Sequence, residues 1–266
     1  MNRFDTLIFD LDGTLIDELP NVDAGYRAAA HYAHETYGIV EELFAAVAPL
    51  AARDAWWEPD WLGPLTDRYG LSAWDGLSEQ FPGPRSDLQP LRDWLPTYRH
   101  SAWRAAYARC GVAADSHVID ETARTFTGTR HRGRVRLAQG AAGALEALAD
   151  RDLAIITNGP ADGQESKVYR AGLGRMMKAV IASTAAGTGK PDRRLLGQCL
   201  QSLPHRRRNV LIIGDSLEHD IQLALQCGIP AIWIRTSDHA GSVPDGVAVV
   251  ASAAALPAAI ARLEEQ

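Results

Sequence analysis

The chain has 266 residues, 46% of them hydrophobic and 23% charged, with a formal net charge of −6. That length can bury a sizeable core in one large domain or two modest ones, and the negative balance argues against nucleic acid as the main partner, because phosphate-backbone binding calls for a basic face. No stretch approaches the unbroken apolar length of a membrane partner or span, and Arg3, Asp5, Asp10 and Asp12 stand where a signal peptide needs its apolar region. The expected location is the cytoplasm. Cys110, Cys199 and Cys227 are scattered, with no CxxC and no His at zinc-ligand spacing, which fits a reducing compartment and reads as small buried hydrophobes.

Taken in chain order, the first element is the apolar run TLIF (6–9), read as a buried strand that ends in Asp10-Leu-Asp12-Gly-Thr. On an extended backbone Asp10 and Asp12 point the same way. Two like charges converging there call for a cation or a function; the plain alternative is a strand exiting into a solvated polar turn. Residues 19–136 change character. NVDAGYRAAAHYAHETYG and EELFAAVAPLAA have helical patterns, and WWEPDWLGPL through FPGPRSDLQPLRDWLP is dense in Pro, Gly and Trp. This reads as a mostly helical insertion carrying an extra Trp/Pro-rich insert at about 49–98. The basic run RHRGRVR (130–136) either draws in an anion or forms a solvated hinge.

From Leu137 onward short apolar runs alternate with helical patterns. Ala141, Leu145 and Leu148 fall at helical spacing, followed by LAIIT (153–157), AVIAS (179–183), NVLIIG (209–214), PAIWI (230–234) and VAVV (247–250). Continuous apolar strands alternating with helices predict an α/β fold with a parallel sheet covered on both faces, which TLIF joins.

Ligands of open parallel sheets bind at the carboxyl ends of the strands. There the chain places Asp10 and Asp12, then Thr157-Asn158-Gly159, then Lys190 in the loop TAAGTGKPD, then Asp215-Ser216 with Asp220 beyond. Three converging carboxylates with oxygen-only neighbours suit Mg2+. Backbone N–H groups of Asn158 and Gly159, beside the Thr157 hydroxyl, suit an anion, and Lys190 adds a positive charge. Together these describe a cradle for a phosphoryl group, with one carboxylate as nucleophile and a second for acid/base work.

Each piece has a plainer reading. Lys190 before Pro191 marks a loop entering a helix. GTGK misses the phosphate-loop pattern, with Thr184 at the first glycine position and Pro191 in place of Ser/Thr. Asp215 and Ser216 cap the helix through IQLALQCG, which Gly228 and Pro230 end, and Asp220 serves its dipole. All four pieces in this order at four strand ends outweigh the plain readings.

The motifs DLDGTLID (10–17), TNG (157–159), GKPD (189–192) and GDSLEHD (214–220) resemble the haloacid dehalogenase-like (HAD) hydrolase superfamily, in its phosphatase branch with a helical cap inserted after the first core strand. The resemblance covers 1–18 and about 137–250. It implies a Rossmann-like, doubly wound core of residues 1–18 and 137–266 and a cap of residues 19–136. It also implies roles. Asp10 would be the nucleophile, forming an aspartyl-phosphate, and Asp12 the acid and then the base. Mg2+ would be held by the Asp10 carboxylate, the Asp12 backbone carbonyl and Asp215, with Asp220 as an outlying partner. Thr157, Asn158 and Lys190 would bind the phosphoryl group.

At least one of Trp56, Trp57, Trp61, Trp74 or Trp94 is expected to line a substrate cleft, the alternative being that they fill a small core. The expected function is a Mg2+-dependent phosphatase acting on a small phosphorylated metabolite, with the GDSLEHDI spacing hinting at sugar phosphates or nucleotides. A phosphoryl-transferring mutase is the alternative, and a non-catalytic binding relative a weaker one. Dehalogenation and C–P cleavage are disfavoured by Asp12.

Overall fold

A computed structural model describes residues 3–203, 209–235 and 242–265. Its strands are β1 (Thr6–Phe9), β2 (Ile16–Asp17), β3 (Arg136–Leu137), β4 (Asp152–Thr157), β5 (Met177–Ala182), β6 (Val210–Gly214), β7 (Ala231–Ile234) and β8 (Val247–Val250). Among the described residues six of them form one parallel sheet in the order β5-β4-β1-β6-β7-β8. The chain thus builds outward from β1 in one direction and then returns to build in the other, which leaves a crevice at the reversal.

Period-2 alternation explains why these strands read as unbroken apolar runs. Leu7, Phe9, Leu153, Ile155, Leu211 and Ile213 join one buried cluster, while Ile8, Ala154, Ile156 and Ile212 join another. Both faces are covered, so neither phase of the alternation can be polar.

The chain divides into two compact units, 1–18 with 134–158 and 167–266, and 19–133 with 159–166. The second unit is helical: α1 (Leu19–Tyr37), α2 (Glu41–Trp56), α3 (Gly63–Tyr69), α4 (Ala73–Ser78), α5 (Gln89–Arg109) and α6 (Ser116–Arg130). The Trp/Pro-rich composition predicts an extra insert at about 49–98, but Pro49 lies inside α2 and Pro96 inside α5. Burial overrides the local penalty of proline: both helices contribute to one core containing Phe44, Trp56, Tyr98 and Trp103.

At the centre of this unit Arg130 is fully enclosed. Its guanidinium meets Asp75 and Glu79, each at 3.1 Å, and donates to the Trp74 carbonyl at 2.9 Å. His131 contacts Glu79 at 2.9 Å. Burial works against the Glu79 charge, but His131 and Arg130 hold its carboxyl below the usual range.

Segment 159–166 belongs to this helical unit by its contacts. Gly159 donates to the Tyr69 carbonyl at 2.8 Å, and Gln80 donates its backbone N–H to Asp162 at 2.7 Å. The remaining helices are α7 (Ala141–Ala147), α8 (Ala161–Arg170), α9 (Ser183–Ala186), α10 (Arg193–Ser202), α11 (Gln222–Cys227) and α12 (Leu256–Glu264). Strands β2 and β3 pair antiparallel, Ile16 with Leu137 and Asp17 with Arg136. No helix among the described residues is long and apolar enough to cross a membrane.

Candidate active site

The site begins at the end of β1, the strand flanked by β4 and β6. Phe9 is level with Ile155 and Ile213, and Asp10 donates its backbone N–H to the Ile213 carbonyl at 2.9 Å. This fixes the Asp10 backbone at the sheet's rim. Its side chain is buried. Lys190 Nζ donates to Asp10 Oδ1 at 2.5 Å and to Asp220 Oδ1 at 2.7 Å, while the buried Asp10 Oδ2 has no hydrogen-bond partner among the described residues.

Three carboxylates converge. Asp10, Asp215 and Asp220 each offer an oxygen within 4.8 Å of the others. Asp220, read from the sequence as an outlying partner, sits in the cluster itself. Ser216 caps a wide π turn (Leu217–Ile221) by accepting from the His219 N–H at 3.2 Å. This turn carries Asp220 back, so that its Oδ2 accepts the Ser216 N–H at 3.0 Å.

The Asp12 carboxylate goes elsewhere. Strand β1 stops at Phe9, so the extended backbone that would align Asp10 with Asp12 is missing. Lys167 Nζ donates to both oxygens of Asp12, at 3.0 and 3.1 Å.

Two glycines make the close approach possible. A Cβ on Gly13, whose φ is +84°, would lie 2.3 Å from Asp215 Oδ2, and one on Gly214 would lie 2.3 Å from Asp220. The turn after β1 and the end of β6 therefore accept no side chain there. Asp215 is further held by Thr14, whose hydroxyl donates at 3.4 Å, and by Trp233 Nε1, which donates to its carbonyl at 2.8 Å.

Asn158 serves the lysine loop. Its Oδ1 accepts the Lys190 N–H at 2.7 Å and its Nδ2 donates to the Lys190 carbonyl at 3.2 Å. Thr157 is buried at the end of β4. The Gly159 N–H, expected to face an anion, is committed to Tyr69. Of the tryptophans expected at a cleft, Trp56 is enclosed in the helical core, whereas Trp57 and Trp61 are 53% and 40% exposed. Trp74 and Trp94 pack partly buried against that core.

The electrostatics are those of an anionic pocket with too little positive charge. Burial pushes the Asp10 carboxyl well up; Lys190 opposes this, while Asp220 and Asp215 add to it. Burial, reinforced by Asp220, pushes Asp215 up to about 6. The Lys190 ammonium is penalised by burial but raised on balance by Asp10 and Asp220. An oxygen-only cluster with one bare buried oxygen fits a hard divalent cation.

A carboxyl with a raised folded pKa binds its proton more tightly folded than unfolded, so it costs stability above that pKa. Between about pH 4 and 6, metal-free wild type should therefore lose stability relative to Asp215→Asn. The gap should reach at most about 3 kcal/mol above pH 6. Paired melts in chelator across that range check this; a gap that shrinks as pH rises would refute it.

Lys167 was not read from the sequence. It lies in the last turn of the helix ADGQESKVYR, where a lysine ordinarily reaches into solvent and answers the helix dipole, yet it is buried. Only the neighbouring Val168, which joins the sheet's core, hinted at an inward face.

The haloacid dehalogenase-like hydrolase family pattern matches residues 4–228. Phosphoserine phosphatase from Thermus thermophilus is 30% identical over 230 residues, 86% of this chain and 87% of its own length. Among solved structures, magnesium-bound HAD-hydrolase YfnB from Bacillus subtilis aligns with a TM-score of 0.61 at 21% identity, covering 98% of this chain and all of that one. L-2-haloacid dehalogenase from Xanthobacter autotrophicus aligns with a TM-score of 0.55 at 20% identity, covering 97% and 98%. These two share the fold.

Proposed function

Because the chain belongs to the haloacid dehalogenase-like hydrolases, we propose that it is a Mg2+-dependent phosphatase that releases phosphate from a small phosphorylated metabolite through an aspartyl-phosphate on Asp10. The observation that carries this reading is the divided Asp10 carboxylate: Lys190 holds one oxygen, and the other is buried beside Asp215 and Asp220 with no hydrogen-bond partner among the described residues. Asp10, Asp215 and the Asp12 backbone carbonyl are the proposed holders of Mg2+, with Asp220 adjoining. When bound, the ion would offset the carboxylate charges and that of the phosphoryl oxygens.

The chain's own residues do the rest. Asp10 attacks phosphorus and the ester P–O bond breaks, the leaving oxygen taking a proton from Asp12. Water then attacks the aspartyl-phosphate, passing a proton to Asp12. The P–O bond to Asp10 breaks, which restores both residues and frees inorganic phosphate. Lys190, kept in place by Asn158, neutralises negative charge, and Thr157 offers its hydroxyl to the phosphoryl oxygens. Asp12 favours this chemistry over dehalogenation, since a departing halide needs no proton.

Selection among leaving groups is assigned to the helical unit as a cap, with the exposed faces of Trp57 and Trp61 as candidate contacts and Trp56 as core. The phosphoserine phosphatase relative makes phosphoserine the first substrate to try, with sugar phosphates and nucleotides next.

The test is phosphate release from such a panel in chelator and in Mg2+. Release from at least one member, lost in chelator and restored by Mg2+, is expected. Full rates in chelator would remove the metal from the reading, and no release from any member would remove the phosphatase.

A further inference from the structure

Lys167 is a buried lysine that joins two acidic side chains. Its ammonium meets Glu18 Oε2 at 2.6 Å, and the two side chains are 5% and 11% exposed. That pair already gives the buried charge its partner. The same nitrogen nevertheless reaches across to Asp12 and touches both oxygens, and the Asp12 side chain is 34% exposed. An ammonium has three donors, enough for these three oxygens, while an ionised carboxylate accepts about four hydrogen bonds. Lysine on both oxygens therefore restrains the plane of the carboxylate.

From this geometry we infer that Lys167 is a positioning residue for the second half of the reaction, acting through Asp12. Glu18 anchors the ammonium, the ammonium orients the Asp12 carboxylate, and the carboxylate accepts the proton of the attacking water. The inference rests on the acid/base role proposed for Asp12. It adds a residue that lies outside the four sequence motifs.

An aryl phosphate provides the test, because its leaving oxygen needs little protonation and the hydrolysis of the aspartyl-phosphate then limits turnover. Lys167→Met should lower kcat by about 10²-fold, the worth of a misplaced catalytic group, with little change in KM. It should also raise the fraction of protein carrying one phosphoryl group when turnover is quenched in acid and the intact mass is read. Lys167→Met leaves Glu18 without its cation, so the double variant Lys167→Met/Glu18→Gln, which removes both charges, is measured beside it and should show the same accumulation.

Asp12→Asn supplies the reference. If it accumulates phosphoryl-protein and neither lysine variant exceeds wild type, Lys167 holds the fold only and the inference fails while the reading of Asp12 stands. If Asp12→Asn accumulates none, Asp12 is not the base and both fall. Accumulation in all three, with the Asp12→Asn change adding little further loss in the Lys167→Met background, supports positioning through Asp12.

Discussion

Asp10→Asn should abolish phosphate release, by at least about 10⁴-fold, while the fold persists. The carboxylate is the proposed nucleophile and a proposed ligand, and an amide does neither well. The variant should still fold, because its carbonyl can accept from Lys190 Nζ where Oδ1 now does, and Asp220 continues to pair the ammonium. Thermal melts would check the fold, released phosphate the activity, and acid-quenched mass the missing phosphoryl group. Near-normal release from Asp10→Asn would overturn covalent catalysis at this residue.

Lys190→Met is the second large effect, and it acts on stability as well as rate. The ammonium is 3% exposed and sits between Asp10 and Asp220, which are themselves buried. Deleting it leaves the carboxylates of Asp10, Asp215 and Asp220 facing one another without the ammonium that pairs two of them. Removing one side of a buried ion pair costs about 3–5 kcal/mol, against a typical total of roughly 5–15.

The sign of the pH dependence follows from the same carboxylates. Without the lysine, which opposes the upward shifts of Asp10 and Asp215, the folded pKa values of these two rise further above the unfolded ones, so the deficit is greatest above those values and shrinks on acidification. Calorimetry in chelator at pH 5 and pH 8 should show the larger loss at pH 8, and added Mg2+ should recover part of it. Equal losses at both pH values would mean that the lysine does not neutralise this cluster.

Much of this was legible in the sequence because the sheet is buried on both faces. The interiors of three of its strands, 7–9, 153–156 and 211–213, are apolar throughout, so their ends announced themselves as the places where Asp10, Thr157 and Asp215 could stand. What stayed hidden depended on where side chains turn after the strands end. Asp12 parts from Asp10 because β1 stops at Phe9, and Asp220 enters the cluster because a π turn carries it back. Neither bend has a periodicity to read.

The same holds for the helical unit. Prolines at 49 and 96 are local breakers by propensity, and only the shared aromatic core explains why α2 and α5 continue through them. The two-residue pairing of β2 with β3 is too short to leave a pattern.

That ladder and the split course of the chain bear on how such a molecule can be remodelled by recombination. Ile16–Asp17 and Arg136–Leu137 bring the two ends of the helical insertion to one paired stem, the arrangement that lets a block be exchanged at a single locus. Yet the unit is not one block, because residues 159–166 belong to it from far downstream. Gly159 donates to Tyr69, Asp162 accepts from Gln80, and a Cβ on Gly163 would come within 3.0 Å of Glu79 Cδ. Exchange of 19–133 alone would carry off Tyr69, Glu79 and Gln80 and leave their partners behind, so inheritance of a new helical unit is bound to compensating change in an eight-residue segment beside Asn158.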